Sequence, residues 1–160
     1  MELPGPEAFK PFNGEFPDVT IRHETDMSIS LYRELHRRVG EPCGWFEWWN
    51  WPDDKIAVEL ADPSWRFYVA RRGDALVGFY ELFRYGENAE AELEKFGLIP
   101  EEIGRGLGKY MLTHAVREAF ALGARRIILS TYDHDHPHAI PNYLARGFVV
   151  VRTEEDEVKS

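Results

Sequence analysis

The chain has one cysteine in 160 residues and 19 basic side chains against 28 acidic ones. Nowhere does an apolar run approach the roughly 20 residues of a membrane span. Each shortage excludes something. A lone Cys43 cannot form a disulfide within the chain, and it suits a reducing compartment. Without a long apolar run no membrane-spanning helix is expected. The opening Met1-Glu2-Leu3-Pro4-Gly5-Pro6-Glu7 has neither a basic start nor an apolar stretch, so it does not read as a signal peptide, and a cytoplasmic location is expected. The net charge of −9 argues against a nucleic-acid partner, whose affinity would rest on lysines and arginines set against phosphates. An acidic surface instead favours the approach of a cation such as an amine.

Apolar residues make up 44% of the chain and charged residues 29%, which suits one globular domain large enough for its own core. Residues 1–17, with prolines at 4, 6, 11 and 17, read as an irregular N-terminal arm, and residues 18–160 as a single domain. From Val19 the pattern gives a strand, a helix capped by Asp26 or Ser28 and running to about Val39, and a shorter helix opened by Pro52-Asp53-Asp54. A hairpin follows about Arg72-Gly73-Asp74, then a strand from Ala91 to Ile99 and a helix from Leu107 to about Phe120. The chain closes with a strand at Arg126–Thr131, a short helix at Ala139–Arg146 and a last strand at Phe148–Thr153. Hairpins beside a strand-helix-strand unit predict an α/β (α+β) fold: a mixed, mostly antiparallel sheet of about six or seven strands with helices on both faces.

Ile103-Gly104-Arg105-Gly106-Leu107-Gly108-Lys109 separates a strand from a helix, with glycine at every second position. Glycine allows close backbone approach, and the first amides of the next helix carry the positive end of its dipole, so the segment suits a phosphate or pyrophosphate. A dinucleotide fingerprint fails, because the sixth position is Lys109 or Met111. A P-loop fails because Tyr110 follows Gly108-Lys109. A glycine-rich turn without a ligand is the plain alternative.

A second pattern occurs about 30 residues later, where Ala139, Tyr143, Gly147 and Phe148 stand in the spacing Ala-x-x-x-Tyr-x-x-x-Gly-Phe. Together the two segments, each placed after a strand, make the chain from Val19 to Thr153 resemble the GNAT superfamily of N-acetyltransferases. Gly106 and Gly108 take the two small positions of that family's cofactor loop. Ile103 stands where Gln or Arg is usual, and His136 where Asn is usual. The resemblance implies acetyl-coenzyme A as cofactor, with its pyrophosphate on the amides of Gly104, Arg105, Gly106, Leu107, Gly108 and Lys109. Its pantetheine would lie beside Phe96, Gly97, Leu98 and Ile99, with His136 and Tyr143 nearby. It also implies that Tyr143 can protonate the departing thiolate. The acceptor would be a small-molecule amine or a protein amino group, and members of the family often pair as homodimers.

An amine is mostly protonated at neutral pH, so a base must take its proton. Strand alternation puts Glu92, Glu94, Phe96 and Leu98 on one face. Glu92, at a position where family members with a carboxylate base often carry it, is the first candidate, Glu94 the second and Glu81 the third; solvated or ion-paired strand carboxylates are the alternative. Trp45, Glu47, Trp48 and Trp49 fall where the family often borders its acceptor pocket, although packing alone explains any one tryptophan. His134, Asp135, His136 and His138 suggest a metal, but no second half of a zinc pattern exists elsewhere, and no metal is expected. A non-catalytic acyl-coenzyme A binding domain remains open.

Overall fold

The computed structural model describes residues 1–45, 50–85, 89–131 and 137–151. In chain order these form β1 (Glu2–Leu3), β2 (Val19–His23), α1 (Ile29–Leu35), α2 (Asp53–Ala61), β3 (Trp65–Arg72), β4 (Ala75–Tyr85), β5 (Glu90–Leu98), α3 (Leu107–Ala121), β6 (Arg126–Leu129) and α4 (Ala139–Ala145). The strands make one sheet in the order β1-β6-β5-β4-β3-β2. All neighbours are antiparallel except β5 and β6, whose parallel pairing is made possible by the crossover through α3. The expected mixed sheet is therefore present, with six strands.

Helices cover both faces. On one face Leu107, Met111, Leu112, Ala115, Val116 and Ala119 of α3 pack with Tyr80, Leu82, Ala91, Leu93 and Ile127. These helix positions recur every three or four residues, which is why α3 forms on this face. Truncating a fully buried residue such as Leu112 to alanine costs about 2–5 kcal/mol. On the other face α1, the turn that follows it and α2 bring Tyr32, Leu35, Val39 and Ile56 against Phe67, Val69 and Phe79. Helix α1 starts at Ser28, whose side chain accepts a hydrogen bond from Leu31 N at 3.0 Å.

Four local features differ from the sequence reading. The helix expected to run to Val39 is α-helical only to Leu35, and His36–Gly40 continues as a π-helical turn. The N-terminal arm is not irregular throughout. Glu2 and Leu3 pair with Ile128 and Ile127, and Glu2 bridges on its other side to Val149. Of the expected last strand, the described residues show only that bridge at Val149. Finally, β5 carries a bulge: Glu81 lies opposite Lys95 but Leu82 lies opposite Leu93, leaving Glu94 as the extra residue. Alternation is reset there. Phe96 and Leu98 join Ala91 and Leu93 on the α3 face, so Glu92 and Glu94 do not share a face with Phe96 and Leu98.

Candidate active site

The strand β5 pairs with β6 only from Glu90 to Leu93, whose last partner is Leu129, and then continues alone to Leu98. The open edge begins at the bulge. On its other side β5 stays bonded to β4: Ile99 N donates to Val77 O at 3.0 Å, with Leu98 opposite Gly78. Alternation then turns the backbone N–H and C=O of Phe96 and Leu98 toward the open edge and those of Gly97 toward β4. A groove results with strand amides on one wall that have no partner among the described residues.

The glycine segment closes the end of this groove. Gly104 has φ +89° and Gly106, which precedes the first residue of α3, has φ +87°, both conformations that strain any side chain. Gly108 differs. A Cβ there would meet Asn142 Nδ2 at 3.7 Å and Leu98 Cδ1 at 3.8 Å, ordinary contacts, so its smallness serves to keep the groove floor open. No side chain caps α3, and its first amides remain as donors at the positive end of a 15-residue helix. Ile103 lines the groove and packs against the apolar core, where the family's Gln or Arg would be polar.

One cavity of about 910 Å³ connects this groove to a second compartment. There Cys43, Gly44 and Trp45 come after the π-helical turn and face Glu92, Glu94 and Lys95 of β5. The Trp45 ring lies against Gly40 and Gly97. A Cβ on Gly97 would come within 2.5 Å of Val39 Cγ1 and 3.4 Å of the tryptophan ring, so a glycine is required for this close approach. Lys95 Nζ stands 5.1 Å from the ring centroid. Desolvation raises the Glu94 carboxyl above the usual carboxylate range, helped by a hydrogen bond with Glu92 and by its charge. Glu92 also accepts a long hydrogen bond from the Tyr85 hydroxyl, 3.5 Å. Tyr143 lines the cavity and is buried, with its ring 6.2 Å from Phe96 and 6.0 Å from Phe148.

Several sequence candidates lie elsewhere. Glu81 does not line the cavity. It is 2% exposed on β4, with Oε1 3.5 Å from His36 Nε2, and burial lifts its carboxyl to about 8. Because His36 Nδ1 faces the carbonyl of Tyr32 at 2.8 Å, that nitrogen carries a proton, and Nε2 is the one turned to Glu81. Ile99 packs its side chain with α1 and α2, and the side chain of Leu107 is core. Arg105 is exposed and outside the cavity lining. His136, Glu47, Trp48 and Trp49 lie outside the described residues, as do His134 and Asp135; among the described residues no cluster can hold a metal ion.

The sequence reading missed Asn142 and Arg146. Both line the cavity, and both keep buried polar atoms without hydrogen-bond partners among the described residues: Asn142 Oδ1, and Arg146 Nε and Nη1. An acceptor oxygen and a cation, together with the α3 amides and the free edge of β5, suit a ligand that carries both amide N–H groups and phosphates. Coenzyme A has both. A charged residue three positions from Tyr143, on the inward face of a short helix, is the signal that marks Arg146 in the sequence.

Comparison with known proteins agrees with this geometry. The profile of the acetyltransferase (GNAT) family matches residues 24–148. The chain belongs to this family and carries its acyltransferase domain. It is 30% identical over 132 residues to a mycothiol acetyltransferase of Streptomyces scabiei, covering 82% of this chain but 37% of that protein. Thus the chain spans little more than a third of that relative. An IAA acetyltransferase of Azospirillum brasilense is 29% identical over 122 residues, 72% of this chain and 74% of the relative. Among solved structures, an aminoglycoside acetyltransferase from an uncultured soil metagenomic sample, in complex with sisomicin, shares the fold at TM-score 0.70 and 14% identity, over 87% of this chain and 96% of that one. The PaiA N-acetyltransferase of Thermoplasma acidophilum, in complex with coenzyme A, does so at TM-score 0.63 and 21% identity, over 85% and 92%. No described helix is long and apolar enough to cross a membrane.

Proposed function

We propose that this chain transfers an acetyl group from acetyl-coenzyme A directly to an amine, of a small cationic molecule or of a protein. The observation that carries this reading is a single cavity lined by the uncapped start of α3, the free edge of β5, Tyr143 and the Glu92/Glu94 pair. When bound, acetyl-coenzyme A supplies an acyl thioester whose carbonyl carbon an amine can attack.

The protein's own residues do the rest. The α3 amides and Lys109 hold phosphate, and Asn142 Oδ1 accepts an amide N–H. The N–H groups of Phe96 and Leu98 are the donors that can polarise a carbonyl at the open edge, a role in which removal of one donor typically costs ~10² to 10³ in rate. The Glu92/Glu94 pair accepts the ammonium proton. Desolvation, with the hydrogen bond and charge of Glu92, raises the affinity of Glu94 for protons toward neutrality, where a base is most effective. Tyr143 holds a phenolic proton for the leaving sulfur as the new C–N bond replaces the C–S bond. Trp45 offers an aromatic wall to the acceptor, and the carboxylates favour one that is positively charged.

Titration calorimetry with acetyl-coenzyme A, on the wild type and Gly106→Trp, tests the cofactor. Saturable binding lost in the variant is expected. Thiol release on adding members of an amine panel tests the reaction. Binding without release for every amine would favour a non-catalytic sensing domain, and no binding to folded wild type would overturn the proposal.

A further inference from the structure

Arg146 ends α4 with only 9% of its surface exposed, and its Nε and Nη1 donors have no partner among the described residues. Its guanidinium carbon lies 5.8 Å from the centroid of the Phe12 ring, and Lys109 Nζ lies 5.7 Å from the same ring. Phe12 belongs to the N-terminal arm and is pinned there by its backbone N–H, which donates to Thr113 Oγ1 at 3.0 Å. The arm is fastened at Arg146 as well, where Lys10 N donates to the Arg146 carbonyl at 2.9 Å. Two cations therefore flank one aromatic ring beside the glycine segment, in a chain with net charge −9.

A buried guanidinium with unmet donors is costly unless an anion answers it. The ring offsets part of that cost through its face but gives the N–H groups no acceptor. No carboxylate among the described residues pairs with Arg146. Arg146 lines the same cavity as the start of α3, and a planar fork of N–H donors matches phosphate oxygens better than any neutral ligand.

We infer that Arg146, across the Phe12 ring from Lys109, adds a guanidinium to the donors of the glycine segment, and that it receives a phosphate of the coenzyme. This rests on the reading of the cavity as a coenzyme A site. The phosphate has two sources in that molecule, the pyrophosphate and the ribose 3′-phosphate, and the guanidinium serves one of them.

Calorimetry with coenzyme A and with dephospho-coenzyme A, on wild type and Arg146→Met, decides the matter. The variant is expected to bind coenzyme A roughly 10- to 100-fold more weakly. If the 3′-phosphate is the partner, the variant loses nothing toward dephospho-coenzyme A; if the pyrophosphate is, the loss is equal for both. Equal affinity of variant and wild type for both ligands overturns the inference while leaving the cofactor intact. A wild type that binds neither overturns the reading of the cavity and this inference with it. Should Arg146→Met not fold, the Nε–H resonance of Arg146 in the wild type, assigned by its loss in Arg146→Lys, replaces it. A shift that saturates with coenzyme A is expected, and an unmoved resonance under saturating ligand overturns the inference.

Discussion

The two compartments of the cavity are built by different means. The one beside α3 is made largely of backbone: the free edge of β5, two glycines at positive φ, and the amides that open a long helix. The one beside the π-helical turn is made of side chains: Trp45, Lys95, Glu92 and Glu94, set on a strand bulge and a turn that both interrupt regular geometry. Backbone recognises what every member of a family shares. Side chains on irregular backbone can be exchanged without disturbing the sheet, and so are suited to set the acceptor.

Removal of the Tyr143 hydroxyl gives the largest effect expected. Tyr143→Phe should lower kcat by ~10² to 10⁴ with little change in coenzyme affinity, because only the proton donor is lost. Steady-state kinetics beside calorimetry separate the two quantities; a variant of unchanged kcat would show the tyrosine to be packing alone. Glu94→Gln comes next. With the raised carboxyl of Glu94 as part of the base, the acid limb of kcat/KM in the wild type should lie above the ordinary carboxylate range, since the pair must lose its proton to work. The variant should show a limb displaced to lower pH and a rate reduced ~10-fold or more. A pH profile identical to wild type would remove Glu94 from the mechanism.

The smallest effect concerns Glu81, buried on β4 outside the cavity. Glu81 keeps its proton to about pH 8 when folded and loses it near the ordinary carboxylate value when unfolded. Between those values the folded protein holds more protons, so its stability falls as pH rises through that window. Glu81→Gln removes the titration. It should gain about 1–3 kcal/mol at pH 8 relative to its own effect at pH 4, measured by urea unfolding. An effect independent of pH would mean that Glu81 is ionised in the fold.

The difference between the compartments also governs how much of each is legible in the sequence. Gly104, Gly106 and the apolar stripe of α3 act through conformations that local residue types dictate, so the glycine turn and the helix after it were legible. Three features of the other compartment were not. The bulge at Glu94 depends on how β4 and β5 register, and a strict two-residue alternation wrongly grouped Glu92 and Glu94 with Phe96 and Leu98. The π-helical turn at His36–Gly40 keeps a helix-like apolar spacing while displacing the residues after it. Gly97 reads as a weak strand residue, and only the approach of Val39 and Trp45 explains it. Edge strand β1, two residues among prolines, has no local signal at all.

That edge strand has a kinetic consequence. Met1 N donates to Leu129 O across 128 positions, and Glu2 is then held between Ile128 and Val149. Contacts of such separation carry the largest loop-closure entropy and form late. During synthesis from the N-terminus, this edge cannot close until residue 149 has left the ribosome. Until then the outer side of β1 is an unpaired strand edge, the surface on which a nascent copy of this chain is most open to pairing with the wrong partner.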